Sequence, residues 1–297
     1  MSAMIHVEKL YHSYSRNEDY SVNNLNFSVE EGEIFGFLGP SGAGKSTTQN
    51  IITGLLPLQK GVVEVAGHDM RIPDLRMYNE IGVCFEQPNL YSKMTAVENL
   101  AFFASLFDVP CRGPMELIRM VGLEASAKKR CGEFSKGMRQ RINFARSMLN
   151  NPKLWFLDEP TSGLDPAIAS DIKSIIKKRN DEGATVFLTT HSMSIADDLC
   201  DRVAFIVGGD IKLIDSPKEL KLRFGKNFVD VEYVVEGRIE RQSLSMEDER
   251  DKQALQGIIG HYPIRRMHTE EATLEQIFIK VTGKELIGDE IADEHTA

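Results

Sequence analysis

The stretch Ile34-Phe35-Gly36-Phe37-Leu38-Gly39-Pro40-Ser41-Gly42-Ala43-Gly44-Lys45-Ser46-Thr47 decides how the rest of the chain is read. An apolar, strand-like run ends at Leu38. Gly39 to Ser46 then matches G-x-x-x-x-G-K-[ST], and residues 47–56 continue with helical patterning. Strand, glycine-rich turn and helix in that order are the context in which such a loop binds phosphate. Its glycines let consecutive backbone N–H groups converge on phosphate oxygens, and the helix N-terminus adds a favourable dipole. Lys45 can reach the β- and γ-phosphates of a nucleotide, and the Ser46 hydroxyl can ligate Mg2+. Residues Gly39 to Thr47 are therefore candidate nucleotide-binding residues.

Working outward, strand-like runs recur at Leu154–Leu157, Thr185–Thr189 and Val203–Val207, with helical patterns over Pro166–Glu182 and Ser192–Cys200 between them. Short β-rich runs separated by helices predict a mostly parallel sheet covered by helices, an α/β fold. The helix after Asp165 is well punctuated: Asp165 as N-cap, Pro166 at its first position, Lys177-Lys178-Arg179 near its end and Gly183 beyond it. Between residues 95 and 150 strand signals vanish. Thr95 and Glu98 read as a capping box ahead of a helix over Asn99–Phe107, a second helix is expected over Pro114–Val121, and a third starts near Ser135. This predicts a helical insertion between parts of one sheet.

The run Leu154-Trp155-Phe156-Leu157-Asp158-Glu159 ends in two carboxylates. A buried apolar strand would present them at its C-terminal edge, where open α/β sheets bind ligands. Asp158 is then placed to hold Mg2+ through water, and Glu159, expected on the opposite side by strand alternation, to orient or activate an attacking water. Alone, such a pair also fits an ordinary strand-end cap; beside the phosphate loop it reads as a metal-and-base element.

The whole chain has 35 Lys and Arg against 44 Asp and Glu, a formal net charge of −9, with 27% charged and 42% hydrophobic residues. That is the balance of a soluble globular protein, and its 297 residues fit one large domain or two modest ones. Residues 226–297 hold 9 basic and 16 acidic side chains, net −7, so the first 225 carry only −2. No apolar run approaches the ~18–20 residues of a membrane-spanning helix, and MSAMIHVEKL has no basic region followed by an apolar one, so no secretory signal is expected. Cys84, Cys111, Cys131 and Cys200 show no CxxC or Cys/His spacing and read as free thiols in a reducing compartment. No basic stripe with interleaved aromatics marks a nucleic-acid surface.

With these residues in place, residues 1–224 resemble the nucleotide-binding subunits of ABC transporters. After the phosphate loop comes Gln87, where that family has its Q-loop glutamine. Phe134-Ser135-Lys136-Gly137-Met138-Arg139-Gln140 stands at the family's signature, Asp158-Glu159-Pro160 is followed by the D-loop-like Ser162-Gly163-Leu164-Asp165, and His191 lies where the family has its switch histidine. Tyr14 resembles the aromatic that stacks on adenine, with Tyr11 and Tyr20 close enough to compete for that role. The signature departs from the common L-S-G-G-Q: Phe134, Lys136 and Met138 differ, while Ser135 and Gly137 remain. An S-K-G-M signature resembles the exporter branch related to drug and sodium efflux ATPases, whose membrane part is usually a separate polypeptide.

The resemblance implies a P-loop cassette over 1–224, with an antiparallel β part and a helical subdomain over about 88–150. Residues 225–297 would form a small C-terminal α+β domain with strand-like Val229–Val235, helix-like Met246–Ile259, strand-like Ile264–Met267, a helix from the Thr273…Gln276 capping box and a frayed acidic tail. The tail helix, Thr273 to Gly283, resembles the ending of drug-exporter ATPases, with Leu274, Ile277, Phe278 and Val281 on one apolar face. By the same resemblance the chain is an ATPase that works as a homodimer. ATP with Mg2+ is held between the P-loop of one copy and Ser135, Gly137 and Asp165 of the other. Glu159 serves the water, His191 the γ-phosphate, and Gln87 both Mg2+ and coupling. A separate transmembrane permease would dock near Gln87 and Asn89–Met94, with Leu90, Tyr91 and Met94 as a groove floor or else packed inside the helical insertion. The protein would then sit at the cytoplasmic face of the membrane. A soluble ABC-type ATPase acting on nucleic acid or ribosomes, and a nucleotide sensor without hydrolysis, are the competing readings.

Overall fold

The computed structural model describes residues 3–15, 19–72, 74–224, 228–235, 237–246, 248–270 and 272–283. The acidic tail expected to fray, residues 288–297, lies outside the described residues. In chain order the cassette comprises β1 (Ala3–His12), β2 (Val22–Glu30), β3 (Ile34–Leu38), α1 (Lys45–Ile52), β4 (Lys60–Val65), β5 (His68–Asp69) and β6 (Ile81–Cys84). It continues with α2 (Ala96–Ala104), α3 (Pro114–Met120), α4 (Lys136–Arg146), β7 (Leu154–Asp158), α5 (Pro166–Asp181), β8 (Thr185–Thr190), α6 (Met193–Leu199), β9 (Arg202–Val207) and β10 (Asp210–Asp215).

A six-stranded sheet in the order β10-β9-β3-β8-β7-β6 forms the centre, with β9, β3, β8, β7 and β6 paired in parallel. Every residue of β3, β7 and β8 is buried, which is why these strands read as continuous apolar runs rather than alternating ones. A second, antiparallel sheet has the order β2-β1-β4-β5. Apolar side chains from both sheets share one core, in which Phe187 is surrounded by Phe27, Phe35, Phe37 and Phe156 at centroid distances of 5.5–6.1 Å. The mostly parallel sheet, antiparallel part and helical insertion expected from sequence are all present. The four cysteines are free thiols, and burial pushes the Cys84 thiol up to about 12.

Helices α2, α3 and α4 pack on one another between β6 and β7. The Thr95/Glu98 capping box forms, but α2 begins directly after it at Ala96 and ends at Ala104, earlier at both ends than expected. Likewise α1 starts at Lys45 rather than Thr47 and stops at Ile52. Asp165 occupies the N-cap position of α5 without capping it through its side chain; Pro166 takes the first helical position.

The chain divides into two compact units, the first ending at Ile214 and the second beginning at Asp215. This boundary falls before the expected one at Phe224, because α7 (Pro217–Phe224) packs on α9 (Leu274–Thr282) and so belongs with the C-terminal part. The second unit also contains β11 (Phe228–Val235), β12 (Arg238–Ser245), α8 (Glu249–His261) and β13 (Ile264–Glu270), with an antiparallel sheet in the order β12-β11-β13. Leu255 and Ile258 of α8 bury Val229, Val231, Tyr233 and Leu244 of that sheet. β12 was not expected from sequence: it is polar, and only Leu244 along it is buried. The Thr273/Gln276 capping box starts α9, and Leu274, Ile277 and Phe278 are its buried face.

Truncating the central aromatic should be costly. Phe187→Ala is expected to destabilise the cassette by about 3–5 kcal/mol, read as a lower denaturant midpoint through the fluorescence of Trp155, the chain's single and fully buried tryptophan.

Candidate functional site

Three neighbouring strands of the parallel sheet end at one edge. Leu38 of β3 pairs with Thr190 of β8, and Thr189 of β8 pairs with Asp158 of β7. Whatever follows these residues in sequence therefore converges in space: the glycine-rich loop, Glu159 and His191.

The loop's shape depends on two glycines. A Cβ at Gly39 would stand 2.2 Å from the Ile206 carbonyl oxygen, and one at Gly44 would stand 2.5 Å from that of Ser21. Gly44 also has φ +102°, a conformation that suits glycine. It is the N-cap of α1 yet provides no side-chain cap, so the first N–H groups of that helix suit an external anion. Lys45 is buried and its Nζ donates to the carbonyl oxygens of Gly39 at 2.7 Å and Pro40 at 3.0 Å. Burial lowers the pKa of this ammonium, against the pull of the nearby carboxylates of Glu159, Asp158 and Glu86. Ser46 is exposed at the start of α1. The Tyr14 hydroxyl lies 3.2 Å from Thr47 Oγ1, which puts its exposed ring beside the loop. Tyr11 and Tyr20 instead pair edge-on with each other, and Lys60 covers Tyr11.

Asp158 is buried at the end of β7 and accepts a hydrogen bond from Thr189 Oγ1. Burial raises its pKa; the Thr189 hydroxyl and Lys45 oppose that, while Glu86 and Glu159 add to it. Glu159 does not follow strand alternation. The strand stops at Asp158 and Glu159 takes a left-handed φ of +46°, an uncommon and strained state for a residue with a side chain. The departure turns its carboxylate toward the end of β8. There Oε1 accepts from the His191 backbone N–H at 2.8 Å and meets His191 Nδ1 at 2.7 Å, and Oε2 accepts from Thr190 Oγ1 at 2.9 Å. A carboxylate only accepts, so the ring hydrogen belongs on Nδ1 in this contact.

The remaining sequence-derived residues lie elsewhere. Ser135 is the N-cap of α4 and its Oγ accepts from Met138 N–H at 3.2 Å. Gly137 leaves room for Leu164, 3.4 Å from where its Cβ would be, so the signature packs on the Gly163-Leu164 turn that leads to the exposed Asp165. Among the described residues no hydrogen bond or ion pair links Ser135, Gly137 or Asp165 to residues 39–47. Gln87 is exposed on the loop after β6. That loop is tied to α4: Asn143 Nδ2 donates to Phe85 O at 2.7 Å, and an Arg146 guanidinium N–H donates to Asn89 O at 2.6 Å.

Asn143 and Arg146 were missed by sequence reasoning; the available signal was two polar side chains three apart in an apolar stretch of helix. Thr189 and Thr190, two hydroxyls that follow the apolar Val186-Phe187-Leu188, were likewise passed over. Beside the Gln87 loop lies a cavity of about 630 Å³ lined by Leu55, Ile81, Val83, Phe85, Leu90 and Phe103 among others. Asn89 and Tyr91 also line it, whereas Met94 does not.

Comparison with known proteins agrees with this geometry. The ABC transporter family model matches residues 22–162, and an AAA-domain model (putative AbiEii toxin, Type IV TA system) matches residues 130–197. A fluoroquinolones export ATP-binding protein of Mycobacterium tuberculosis is 45% identical over 284 residues, covering 95% of this chain and 94% of the relative. The linearmycin resistance ATP-binding protein LnrL of Bacillus subtilis is 29% identical over 312 residues, covering 95% and 99%. Among solved structures, the dimeric ATP-binding cassette MJ0796 bound to ADP and Pi superposes with a TM-score of 0.67 at 29% identity, over 72% of this chain and 98% of that one. A chain with this loop, this carboxylate pair and these relatives belongs to the ABC transporter family, as an ATP-hydrolysing cassette of the exporter type.

Proposed function

We propose that this chain is the motor subunit of a membrane exporter, working as a head-to-tail homodimer that binds two ATP molecules with Mg2+. The observation that carries the reading is the cluster at one sheet edge, where Lys45, Asp158, Glu159 and His191 meet within one protomer while Ser135 and Gly137 do not join them. One copy thus holds a nucleotide half-site and, apart from it, a signature. A symmetric pair makes both sites whole by exchanging the two surfaces. The dimeric cassette among the structural relatives supports this arrangement.

Within each site Tyr14 stacks on the adenine and residues Gly39 to Thr47 cradle the phosphates. The partner copy closes the site with Ser135, Gly137 and Asp165. Mg2+ neutralises phosphate charge when bound. The donors fit a nucleotide-borne ion: Asp158 and the Ser46 hydroxyl are available, and the exposed Gln87 offers a further amide oxygen. Among the described residues no three His, Cys, Asp or Glu groups gather as a protein-built cage, and Mg2+ typically keeps phosphate and water ligands. Glu159 orients the attacking water and takes its proton, and His191 contacts the γ-phosphate. As the new P–O bond forms, the bond to the β-bridging oxygen breaks. The charge left on ADP meets Lys45 and the loop N–H groups. Catalysis here is positioning and charge stabilisation.

The export ATP-binding names of the relatives support a separate membrane permease as partner, with this chain at the cytoplasmic face through it; among the described residues no helix is long and apolar enough to cross a membrane. The apolar cavity beside the Gln87 loop is the surface for a short helix of that permease, with Leu90 and Tyr91 in its wall and the exposed Phe102 and Leu106 nearby. Asn143 and Arg146 connect this loop to α4, the helix that opens at the signature, and so link partner docking to closure of the site. The export names of the full-length relatives favour this reading over a nucleic-acid or ribosome ATPase.

Three measurements test it. Lys45→Ala is expected to weaken ATP binding about 10- to 100-fold; undiminished affinity would contradict the half-site. Glu159→Gln should lower turnover by about 100-fold or more and accumulate an ATP-bound dimer on gel filtration, and wild-type turnover in this variant removes Glu159 from the chemistry. Leu90→Asp should abolish co-purification of the chain with its membrane subunit, with Trp155 fluorescence reporting an intact fold; full retention of the subunit moves the docking surface elsewhere.

A further inference from the structure

Thr190 has no part in the reading above, yet its hydroxyl donates to Glu159 and is itself oriented by an accepted bond. The residue closes β8 and is 1% exposed. Its Oγ1 accepts from the Ser192 backbone N–H at 3.0 Å, which occupies a lone pair and leaves the hydroxyl hydrogen directed at Glu159 Oε2, 2.9 Å away. A valine would suit a buried strand end equally well in shape, and a buried hydroxyl is costly without partners. Here it has two, and one of them is the carboxylate of the residue assigned to the water.

The two carboxylate oxygens are not equivalent. Each can accept about two hydrogen bonds. Oε1 has both positions engaged by His191, through its backbone N–H and its ring Nδ1. Oε2 accepts from Thr190 alone among the described groups. The open acceptor position is therefore on Oε2. Without the Thr190 hydroxyl, the carboxylate is held at one oxygen only and can rotate about its last torsion, which has a broad and shallow profile. The left-handed backbone at Glu159 fixes where the side chain starts; the hydroxyl fixes where it ends.

We propose that Thr190 is a positioning residue for the attacking water: its hydroxyl, oriented by the Ser192 N–H, fixes the rotation of the Glu159 carboxylate so that Oε2 receives the water. The proposal rests on the assignment of Glu159 to that water. It extends a pattern of the site, in which consecutive hydroxyls on β8 each take one of two consecutive carboxylates at the end of β7, Thr189 with Asp158 on the strand and Thr190 with Glu159 just beyond it.

The test compares Thr190→Val, Thr190→Ser and Glu159→Gln in the full chain by steady-state ATP hydrolysis, with ATP affinity measured separately and folding followed through Trp155. Thr190→Val removes the hydroxyl and keeps the shape. It is expected to lower kcat about 10- to 100-fold with KM for ATP within about twofold of wild type. Thr190→Ser, which retains the hydroxyl, should recover kcat to within about threefold. Should Thr190→Val fail to fold, Thr190→Ala is read in its place with the same expectations. Wild-type turnover in Thr190→Val beside an inactive Glu159→Gln overturns the role of Thr190 and leaves Glu159 in place. Turnover retained in Glu159→Gln overturns the assignment of Glu159, and the proposal with it. A loss that serine does not recover, or one that falls on KM, means that Thr190 acts through packing or nucleotide binding, which also overturns it.

Discussion

The site depends on the register of parallel strands. Backbone hydrogen bonds between β3, β8 and β7 align Leu38, Thr190 and Asp158 at one edge, and this alignment brings the glycine-rich loop together with two segments that lie more than a hundred residues further along the chain. Side chains at that edge inherit their positions from a ladder whose strands are buried throughout, so the ladder cannot slip without exposing its apolar faces. The aromatic cluster around Phe187 holds the same three strands from within the core. Stability and function therefore share one scaffold, in contrast to sites carried on loops that can move independently.

The electrostatics of the edge follow from that convergence. Three carboxylates (Asp158, Glu159 and Glu86) surround one buried ammonium, Lys45. Such a cluster is unbalanced by itself. It is stabilised by neutral partners: the hydroxyls of Thr189 and Thr190 and the His191 N–H donate to the carboxylates, and the carbonyl oxygens of Gly39 and Pro40 accept from Lys45. Neutral hydrogen-bonding partners hold these charged groups in defined orientations while their charges remain available to phosphate and metal.

Much of this was legible in the sequence because the determinants are local. The glycine-rich loop, the apolar strand ending in Asp158-Glu159, the Thr95/Glu98 and Thr273/Gln276 capping boxes and Pro166 at the start of α5 each announce themselves within a few residues. What was not legible arises from tertiary context. Glu159 leaves strand geometry, and nothing in Leu157-Asp158-Glu159 signals a left-handed turn; it is set by where Thr190 and His191 lie. β12 was hidden because almost all of it is exposed, so no alternation of apolar residues marks it. The link from α4 to the Gln87 loop was hidden because Asn143 and Arg146 act on carbonyl groups, which any sequence supplies. The boundary between units moved from Phe224 to Ile214 for the same kind of reason: α7 is placed by α9, a partner some fifty residues downstream.

The tight approaches at Gly39 and Gly44 carry a consequence for how this loop can change over generations. At both positions the atom in the way is a carbonyl oxygen of a neighbouring segment, Ile206 in β9 and Ser21 just before β2, not the flexible end of a side chain. No second substitution can remove a carbonyl, because every residue has one. Compensation would require shifting a strand of the central sheet or the entry to its antiparallel partner, and with it the alignment of the whole edge. The loop is therefore isolated in sequence space: single steps away from glycine at these positions meet a barrier that no neighbouring side-chain replacement lowers.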